Sequence, residues 1–384
     1  MIYRLFFRLV LERMSSERAH AIAIAAMRAF AFIPGALALT DRLLRPPRSL
    51  RVRALGLEFR TPLGLAAGVD KNSTAFDAFA ALGFGAVEVG TATNLSQPGN
   101  EKPRVWRLPG DRALLNAMGF PNDGAAAQAR RLAGRRTEQV LGVNIGKSRE
   151  VDLDGDVIGD YRAATRELAP HADYLAINVS SPNTPGLRSM QSSEHLRALV
   201  GGVRAELAEL QREVPILVKL GPDLSDAEIA ELAEAAEGIG IDGIIAVNTT
   251  TAYEKTTASR EAIAAHGDRG GISGQPLKVR ALEVLELLSA RVENLPLISV
   301  GGIETADDAW QRILAGAVLV QAHTGFVYGG PLWPRRLNRD LARILAASPY
   351  ATIEEAVGKG RPTQTPGSAD STRQPLQTRA ASTA

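Results

Sequence analysis

One short segment, residues 173–186, holds the side chains best suited to chemistry in this chain. Its first half is an apolar run typical of a buried strand, and its second half gathers hydroxyls, amides, two prolines and a glycine into a rigid turn. Ser181 in that turn could remove a proton from a substrate if a neighbour or water passes the proton on and bulk water is excluded. We predict Ser181 to be the base, Thr184 its relay and Phe120 the wall that excludes water. The alternative is that Ser181 only satisfies the turn before Pro182.

Two lysines and two glycine-rich turns indicate an anionic cofactor or substrate. Lys219 ends an apolar run, where an unpaired ammonium is costly, and it suits a site where negative charge develops, such as a flavin ring taking up a hydride. Lys71 could hold an anionic substrate beside the flavin, or could simply pair with Asp70 on the surface. Gly302 and Thr324 follow the last two apolar runs, where barrels place backbone N–H groups around a phosphate.

Four asparagines follow or flank apolar runs: Asn116, Asn178, Asn183 and Asn248. Each taken singly is a common turn former. Together they could present paired donors and acceptors to a small planar ligand with ring carbonyls and N–H groups.

Eight apolar, strand-like runs predict the strands that must position these residues. The runs lie at residues 63–67, 86–89, 141–145, 174–179, 216–220, 243–247, 297–300 and 318–320. Helical patterns lie between most of them, for example residues 225–237. This alternation predicts an α/β protein with a (β/α)₈ TIM barrel, over residues 49–345. Polar residues follow every run, so they would converge on one mouth. An open doubly wound sheet is the competing architecture.

The flanking segments have a different character. Residues 1–48 read as a small helical extension with helices near 2–11 and 17–33, and residues 1–53 carry ten arginines against three acidic residues. Neither helix has the roughly 20 apolar residues of a membrane span, so the pair is of the type that lies on an anionic membrane surface, or else it docks on the barrel. Residues 346–384 form a C-terminal tail, expected to be largely disordered from about residue 360.

Composition narrows the chemistry further. The chain has 45% hydrophobic and 22% charged residues, which excludes disorder of the whole chain. Cysteine is absent, so there is no disulfide, no thiolate nucleophile and no iron–sulfur cluster. Any catalytic base must be another residue type.

The chain resembles dihydroorotate dehydrogenase in an ordered series of motifs, at residues 67–71, 116–120, 144–147, 178–186, 218–219, 248–250 and 271–274. The likeness is to the membrane-associated, quinone-dependent class (class 2). A helical extension and a serine base separate that class from the soluble one, which uses a cysteine base.

The resemblance implies oxidation of (S)-dihydroorotate to orotate in pyrimidine (UMP) biosynthesis, with FMN as hydride acceptor and a membrane quinone as final acceptor. It implies a peripheral enzyme on the cytoplasmic side of the inner membrane, in contact with lipid, with no metal, no nucleic-acid partner and no obligate protein partner. The quinone would enter between the N-terminal helices and the barrel, near His20 and Arg104.

The resemblance also assigns roles residue by residue. Ser181, Lys71, Lys219, Thr184 and Phe120 would be catalytic. FMN would be held by Ala67, Gly68, Val69, Asp70, Lys71, Thr91, Asn144, Asn178, Lys219, Val247, Gly274, Gly302, His323 and Thr324. Substrate would be held by Lys71, Asn116, Ala117, Met118, Gly119, Phe120, Asn178, Asn183, Asn248 and Thr249.

Three positions depart from the family pattern: Ala117 stands where bacterial members usually have Arg, Val247 where they have Thr, and His323 where they have Tyr. FMN binding survives if Val247 and His323 contact it through backbone groups. Two other functions stay open, namely an FMN-barrel oxidoreductase with another cyclic substrate and a non-catalytic peripheral membrane protein that binds a phosphorylated metabolite.

Overall fold

A computed structural model of the chain describes residues 2–360. The predicted disorder of the tail beyond about residue 360 lies outside the described residues. The strands are β1 (Val52–Ala54), β2 (Leu57–Phe59), β3 (Leu63–Leu65), β4 (Ala86–Ala92), β5 (Val105–Leu108), β6 (Ala113–Asn116), β7 (Val140–Ile145), β8 (Tyr174–Asn178), β9 (Ile216–Leu220), β10 (Gly243–Ala246), β11 (Gly271–Gly274), β12 (Leu297–Val300) and β13 (Ala317–Ala322).

The α-helices alternate with most of these strands. They are α1 (Ile2–Leu9), α2 (Ser16–Ala31), α3 (Ala36–Leu44), α4 (Phe76–Ala80), α5 (Ala125–Leu132), α6 (Val157–Leu168), α7 (Ser193–Glu209), α8 (Asp226–Ile239), α9 (Arg260–Ala265), α10 (Lys278–Ser289), α11 (Ala306–Ala315), α12 (Thr324–Gly329), α13 (Trp333–Ala347) and α14 (Ile353–Ala356).

Eight of the strands close a parallel barrel in the order β3-β4-β7-β8-β9-β10-β12-β13. All eight predicted runs are barrel strands, so the (β/α)₈ prediction is confirmed and the open sheet is excluded. Every residue of β4, β7, β8 and β9 is buried, because side chains fill the barrel and helices cover its outside. Since all the strands run the same way, the loops that follow them meet at one mouth.

The helix boundaries follow from local sequence. α8 begins with a capping box in which Ser225 and Glu228 bond each other's backbone N–H groups, and it ends at Gly240 with φ +81°. α11 begins with the same device, using Thr305 and Asp308. The capping boxes fix where each helix begins, and Gly240 ends α8, so the chain turns into β10 within a few residues.

A small antiparallel sheet of β5, β6 and β11 lies outside the barrel order and was not predicted. It has its own apolar core around Leu108, Leu115 and Ile272. β6 and β11 are about 155 residues apart in sequence, which hides their pairing from any local pattern. The sheet matters for the site because Asn116 is its last residue on β6.

The N-terminal extension has three helices rather than the predicted two. α1 is tied to α12 by a hydrogen bond from the Tyr3 hydroxyl to the Val327 carbonyl, 2.7 Å long. No single helix among residues 2–360 has the length and apolar character to cross a membrane; α2 and α3 meet that test only as a pair, and the pair is bent by 105°.

The described part of the predicted tail is folded. α13 runs to Ala347, and the N–H groups of Gly358 and Gly360 donate to Ile313 and Leu314 of α11. Residues 346–360 therefore pack on the outside of the barrel.

Candidate active site

The ends of β4, β7 and β8 bring three predicted cofactor residues into one hydrogen-bonded group. The Thr91 hydroxyl donates to Asn144 Oδ1 (2.6 Å), and the Asn178 amide donates both to Thr91 Oγ1 and to Asn144 Oδ1 (3.1 Å each). All three side chains are buried. Because each side chain orients the next, the three side chains hold one another in fixed positions at the strand ends.

Lys219 has a buried partner, in keeping with the cost of leaving an ammonium unpaired at this position. Its Nζ lies 3.6 Å from Oε1 of Glu88, and both side chains are buried. Glu88 also accepts hydrogen bonds from Asn144 (2.9 Å), Tyr174 (3.1 Å) and Gln321 (2.8 Å). Sequence analysis missed Glu88, although a carboxylate in the middle of a strand of Ala, Val and Gly is itself a signal of a buried partner.

Ser181 is buried in the loop after β8 and its Oγ accepts a hydrogen bond from the Asn183 N–H (3.2 Å). The Asn183 amide donates to Oδ1 and to the carbonyl of Asn116, 3.1 Å each, so this loop contacts the end of the small sheet. Thr184 is also buried. Within residues 2–360 no hydrogen bond joins the Ser181 and Thr184 side chains, so the relay stays a prediction.

The loop after β10 adds the fourth predicted asparagine. The Asn248 amide donates to Asn178 Oδ1 (3.3 Å) and to Ser180 Oγ (3.0 Å), and Asn248 Oδ1 accepts from the Thr249 N–H (2.8 Å). The four asparagines therefore form two pairs, Asn178 with Asn248 and Asn116 with Asn183. Both pairs involve the segment that carries Ser181.

Residues 117–120 form one side of the mouth. Gly119 and Phe120 both have positive φ (+67° and +52°), which turns the chain sharply after the buried Ala117. A Cβ placed on Gly146 would lie 3.0 Å from the Phe120 ring and 2.7 Å from the Thr91 methyl, so the ring packs directly over the β7 end. The side-chain amide of Asn100 donates to the Ala117 carbonyl, and the backbone N–H of Asn100 donates to the Met118 carbonyl (2.9 Å each).

Lys71 lies where α2 meets the loop after β3. Its ammonium donates to the Gly68 carbonyl (2.6 Å) and lies 3.4 Å from Nε2 of His20. Burial, and secondly Arg104, lower the pKa of Lys71 to about 8. Lys71, and secondly burial, lower the pKa of His20 well below its usual value. Burial and then Lys71 lower the pKa of His323 to about 4, so both imidazoles are neutral at pH 7.

Arg104 is tied to the same helix. Its Nε pairs with Glu17 of α2 at 3.0 Å, and its Nη1 donates to the carbonyls of Pro98 and Asn100. Arg104 is buried, which gives this ion pair little contact with water. Glu17 and His20 lie one helical turn apart, so one face of α2 meets both cations.

The loop after β3 is shaped by backbone bonds. The Gly68 N–H donates to the Gly90 carbonyl (2.8 Å), and the carboxylate of Asp70 accepts from the N–H groups of Thr74 and Ala75. Burial raises the pKa of Asp70 against these hydrogen bonds. The side chain of Asp70 thus bonds backbone groups that follow it in the same loop. Residues 67–71 of this loop face the mouth through their backbone.

Thr324, a predicted phosphate residue, contacts Ser273 where β11 ends and α12 begins. The hydroxyls of Ser273 and Thr324 lie 2.7 Å apart. Gly274 and Gly302 have φ of +101° and +71°, and a Cβ on Gly302 would lie 2.5 Å from the Lys278 backbone, so neither position accepts a side chain. Val247 is buried and its N–H donates to the Val300 carbonyl (2.9 Å).

Fold and site together define an α/β-barrel protein whose mouth gathers amides, hydroxyls and Lys71 above the buried Lys219–Glu88 pair. The chain belongs to the dihydroorotate dehydrogenase family: the model of that family, described as "Dihydroorotate dehydrogenase", matches residues 49–345.

Similar proteins agree with that assignment. The chain is 50% identical over 365 residues to a "Dihydroorotate dehydrogenase (quinone)" of Thermobifida fusca, covering 93% of this chain and 96% of the relative. It is 51% identical over 363 residues to a protein of the same name from Streptomyces griseus, covering 93% and 98%. A crystal structure of DHODH from Eimeria tenella in complex with ferulenol superposes with a TM-score of 0.81 at 35% identity, covering 89% of this chain and 95% of that one.

Proposed function

We propose that this chain, a quinone-dependent oxidoreductase that converts dihydroorotate to orotate in pyrimidine biosynthesis, holds FMN at the barrel mouth and uses Ser181 as its base. The observation that carries the proposal is the convergence of Ser181, Lys219 and the two asparagine pairs on that mouth, although they come from distant parts of the chain. Such a set fits a small, planar, polar substrate.

The donor set fits FMN. Thr91, Asn144, Asn178 and Lys219 offer fixed donors and acceptors to a flavin ring, and the glycine turns at Gly274 and Gly302, with Thr324, offer hydroxyl and backbone groups to a phosphate. A Cβ on Gly68 would touch only the His323 ring, at 3.7 Å, so the backbone there borders open space. Ala67, Val69, Asp70, Lys71 and Val247 would contribute through backbone groups or by closing the sides. Bound FMN would supply the acceptor for the hydride from C6 of the substrate.

The residues of the chain have separate tasks around the substrate. Lys71 would bind the carboxylate, and the amides of Asn116, Asn178, Asn183 and Asn248 would orient the ring, with Thr249 and residues 117–119 completing the pocket. Ser181 Oγ would remove the proton at C5. Its hydroxyl accepts a bond from the Asn183 N–H, which favours the charged form as the proton is lost.

Proton removal by a serine needs a dry site and a way out for the proton. The Phe120 ring over Gly146 supports the role of water exclusion. Thr184 is buried three residues after Ser181 in the same loop. We infer that Thr184 passes the proton on.

The N-terminal extension would contact the membrane and give the quinone access to the site. α2 covers the mouth through His20 and Glu17, which supports a quinone path between α2 and the barrel near His20 and Arg104. Large apolar side chains on the extension are exposed: Leu5, Leu9, Val10, Ile22, Phe32, Ile33, Leu39 and Leu43. Apolar side chains among arginines favour peripheral contact with lipid on the cytoplasmic side of the inner membrane.

One experiment tests the catalytic core of the proposal. The visible absorbance of the flavin is followed anaerobically while dihydroorotate and then a quinone are added. We expect bleaching by dihydroorotate and recovery with quinone. Ser181→Ala should slow bleaching by about 10²–10⁴-fold while the protein keeps its FMN. Ser189→Ala, an exposed serine of the same loop, is the control and should bleach at the normal rate.

Two results would contradict the proposal. A purified protein without flavin would favour the non-catalytic metabolite-binding alternative. Unchanged bleaching in the Ser181→Ala variant would remove Ser181 from the mechanism.

A further inference from the structure

The loop after β8, which carries Ser181, is tied at its far end to two neighbouring loops. Nη2 of Arg188 pairs with Oδ2 of Asp223, in the loop after β9, at 3.0 Å. The Gln191 side chain accepts a hydrogen bond from the Gly221 N–H (2.7 Å). We call the Arg188–Asp223 ion pair the latch.

Asp223 connects the latch to the loop after β10 as well. Its carboxylate accepts hydrogen bonds from the hydroxyls of Thr250 and Thr251 and from the Thr251 N–H (2.8 Å). The Arg188 guanidinium adds longer bonds to the Thr249 carbonyl and the Thr251 hydroxyl, 3.4 Å each. The latch therefore joins three loops. They are the loop after β8 with Ser181, the loop after β9 with Asp223, and the loop after β10 with Asn248 and Thr249.

The middle of the Ser181 loop has a weaker hold. It depends on the Asn183 amide, which bonds Asn116, and on Asn100, which bonds the Asn183 carbonyl at 3.2 Å. Under the proposed function, substrate would compete for the Asn116 and Asn183 amides and weaken the bond between them. The latch is then the side-chain ion pair that holds the loop in place.

The chemistry of the latch suits a contact that forms and breaks. Arg188 and Asp223 side chains are 30% and 24% exposed, so the pair is neither fully screened by water nor locked in the core. Arg188 Nε is buried and makes no hydrogen bond within residues 2–360. The guanidinium is thus held through Nη1 and Nη2, which bond Asp223, the Thr249 carbonyl and the Thr251 hydroxyl.

We propose that the Arg188–Asp223 latch positions the Ser181 loop over the substrate, which makes Arg188 a positioning residue for the proton-abstraction step. The inference rests on the proposed function of Ser181. A general base acts only when its oxygen is within hydrogen-bond reach of the proton, and a displacement of about 1 Å costs about 100-fold in rate.

The test uses Asp223→Asn in the full-length, flavin-loaded protein, because asparagine keeps an acceptor for the threonines and removes the charge. We expect the limiting rate of flavin bleaching by dihydroorotate to fall 10- to 100-fold. Reoxidation of the reduced flavin by quinone should keep its rate, since the bonds of the latch join the loops after β8, β9 and β10 and not α2. Arg188→Met should behave like Asp223→Asn, the double variant should be no slower than either, and Arg188→Lys should recover part of the rate.

The control is Arg260→Gln. Arg260, the first residue of α9, forms an exposed bidentate pair with Asp268, which follows the same helix, so the pair joins no other loop of the mouth. Removing this pair should change neither half-reaction.

Hydrogen exchange measured without substrate gives a second readout. Backbone amides of residues 183–192 should exchange faster in Asp223→Asn than in the wild-type protein. Unchanged exchange, or unchanged bleaching in a variant that keeps its flavin, overturns the latch. If dihydroorotate leaves the wild-type flavin oxidised, the proposed function fails, and the exchange result still decides whether the ion pair holds the loop.

Discussion

Binding of an anionic substrate should weaken as the pH rises through about 8, because Lys71 loses its charge there. Burial and then Arg104 lower the pKa of Lys71 to about 8, while Asp70 and Glu17 act in the opposite direction. The charged form binds a carboxylate and the neutral form does not. Affinity is therefore highest well below pH 8 and is lost as the pH rises above it.

The size of the effect follows from that pKa. In the ligand-free protein about nine-tenths of Lys71 is charged at pH 7 and about one-tenth at pH 9. The dissociation constant of an anionic ligand should thus rise about tenfold between these pH values. His20 and His323 contribute no charge change over this range, since the pKa of each lies below it.

The assay follows the change in the flavin spectrum as orotate is added at pH values from 6.5 to 9 and constant ionic strength. Lys71→Gln is the first control and should bind weakly at every pH. The carboxamide of orotate is the second, because an uncharged ligand should show no such pH dependence. A dissociation constant for orotate that stays level to pH 9 would refute the reasoning, since Lys71 would then be charged throughout or away from the carboxylate.

Three further outcomes are expected. Glu88→Gln leaves the buried Lys219 without its partner and should lower the free energy of unfolding by about 3–5 kcal/mol in urea titrations, against less than about 1 kcal/mol for Glu58→Gln, whose pair is exposed. Thr184→Val should slow flavin bleaching with FMN retained; a normal rate would remove it from the proton path. Deleting residues 1–45 should spare bleaching by dihydroorotate but slow reoxidation by a long-tail quinone, and equal quinone turnover would contradict the role of the extension.

Much of the fold could be read from local patterns. Each barrel strand is a short run of apolar residues with a polar residue after it, as in β8 with Asn178 and β9 with its final Lys219 and Leu220. Burial on both faces of a parallel strand requires such runs, and short polar turns must follow them. For the same reason Ser181 and the asparagines could be expected at one mouth before any coordinates existed.

Other contacts had no local signal. The pairing of β6 with β11 joins residues about 155 positions apart, and the contact between His20 and Lys71 depends on how α2 lies across the barrel. α3 was missed because Ala36–Leu44 is short and follows Pro34 and Gly35 closely.

The sequence by itself indicated eight buried strands, the set of polar side chains at their ends and, through the absence of cysteine, the need for another kind of base. Closure of those strands into a barrel rather than an open sheet was decided by the tertiary structure. Only the tertiary structure decided which of those side chains touch: that Lys219 is neutralised by Glu88, and that Arg188 reaches Asp223. The physical reason is that strand and helix formation depend on neighbours in the chain, whereas the partner of a buried charge is chosen by packing among residues far apart in it.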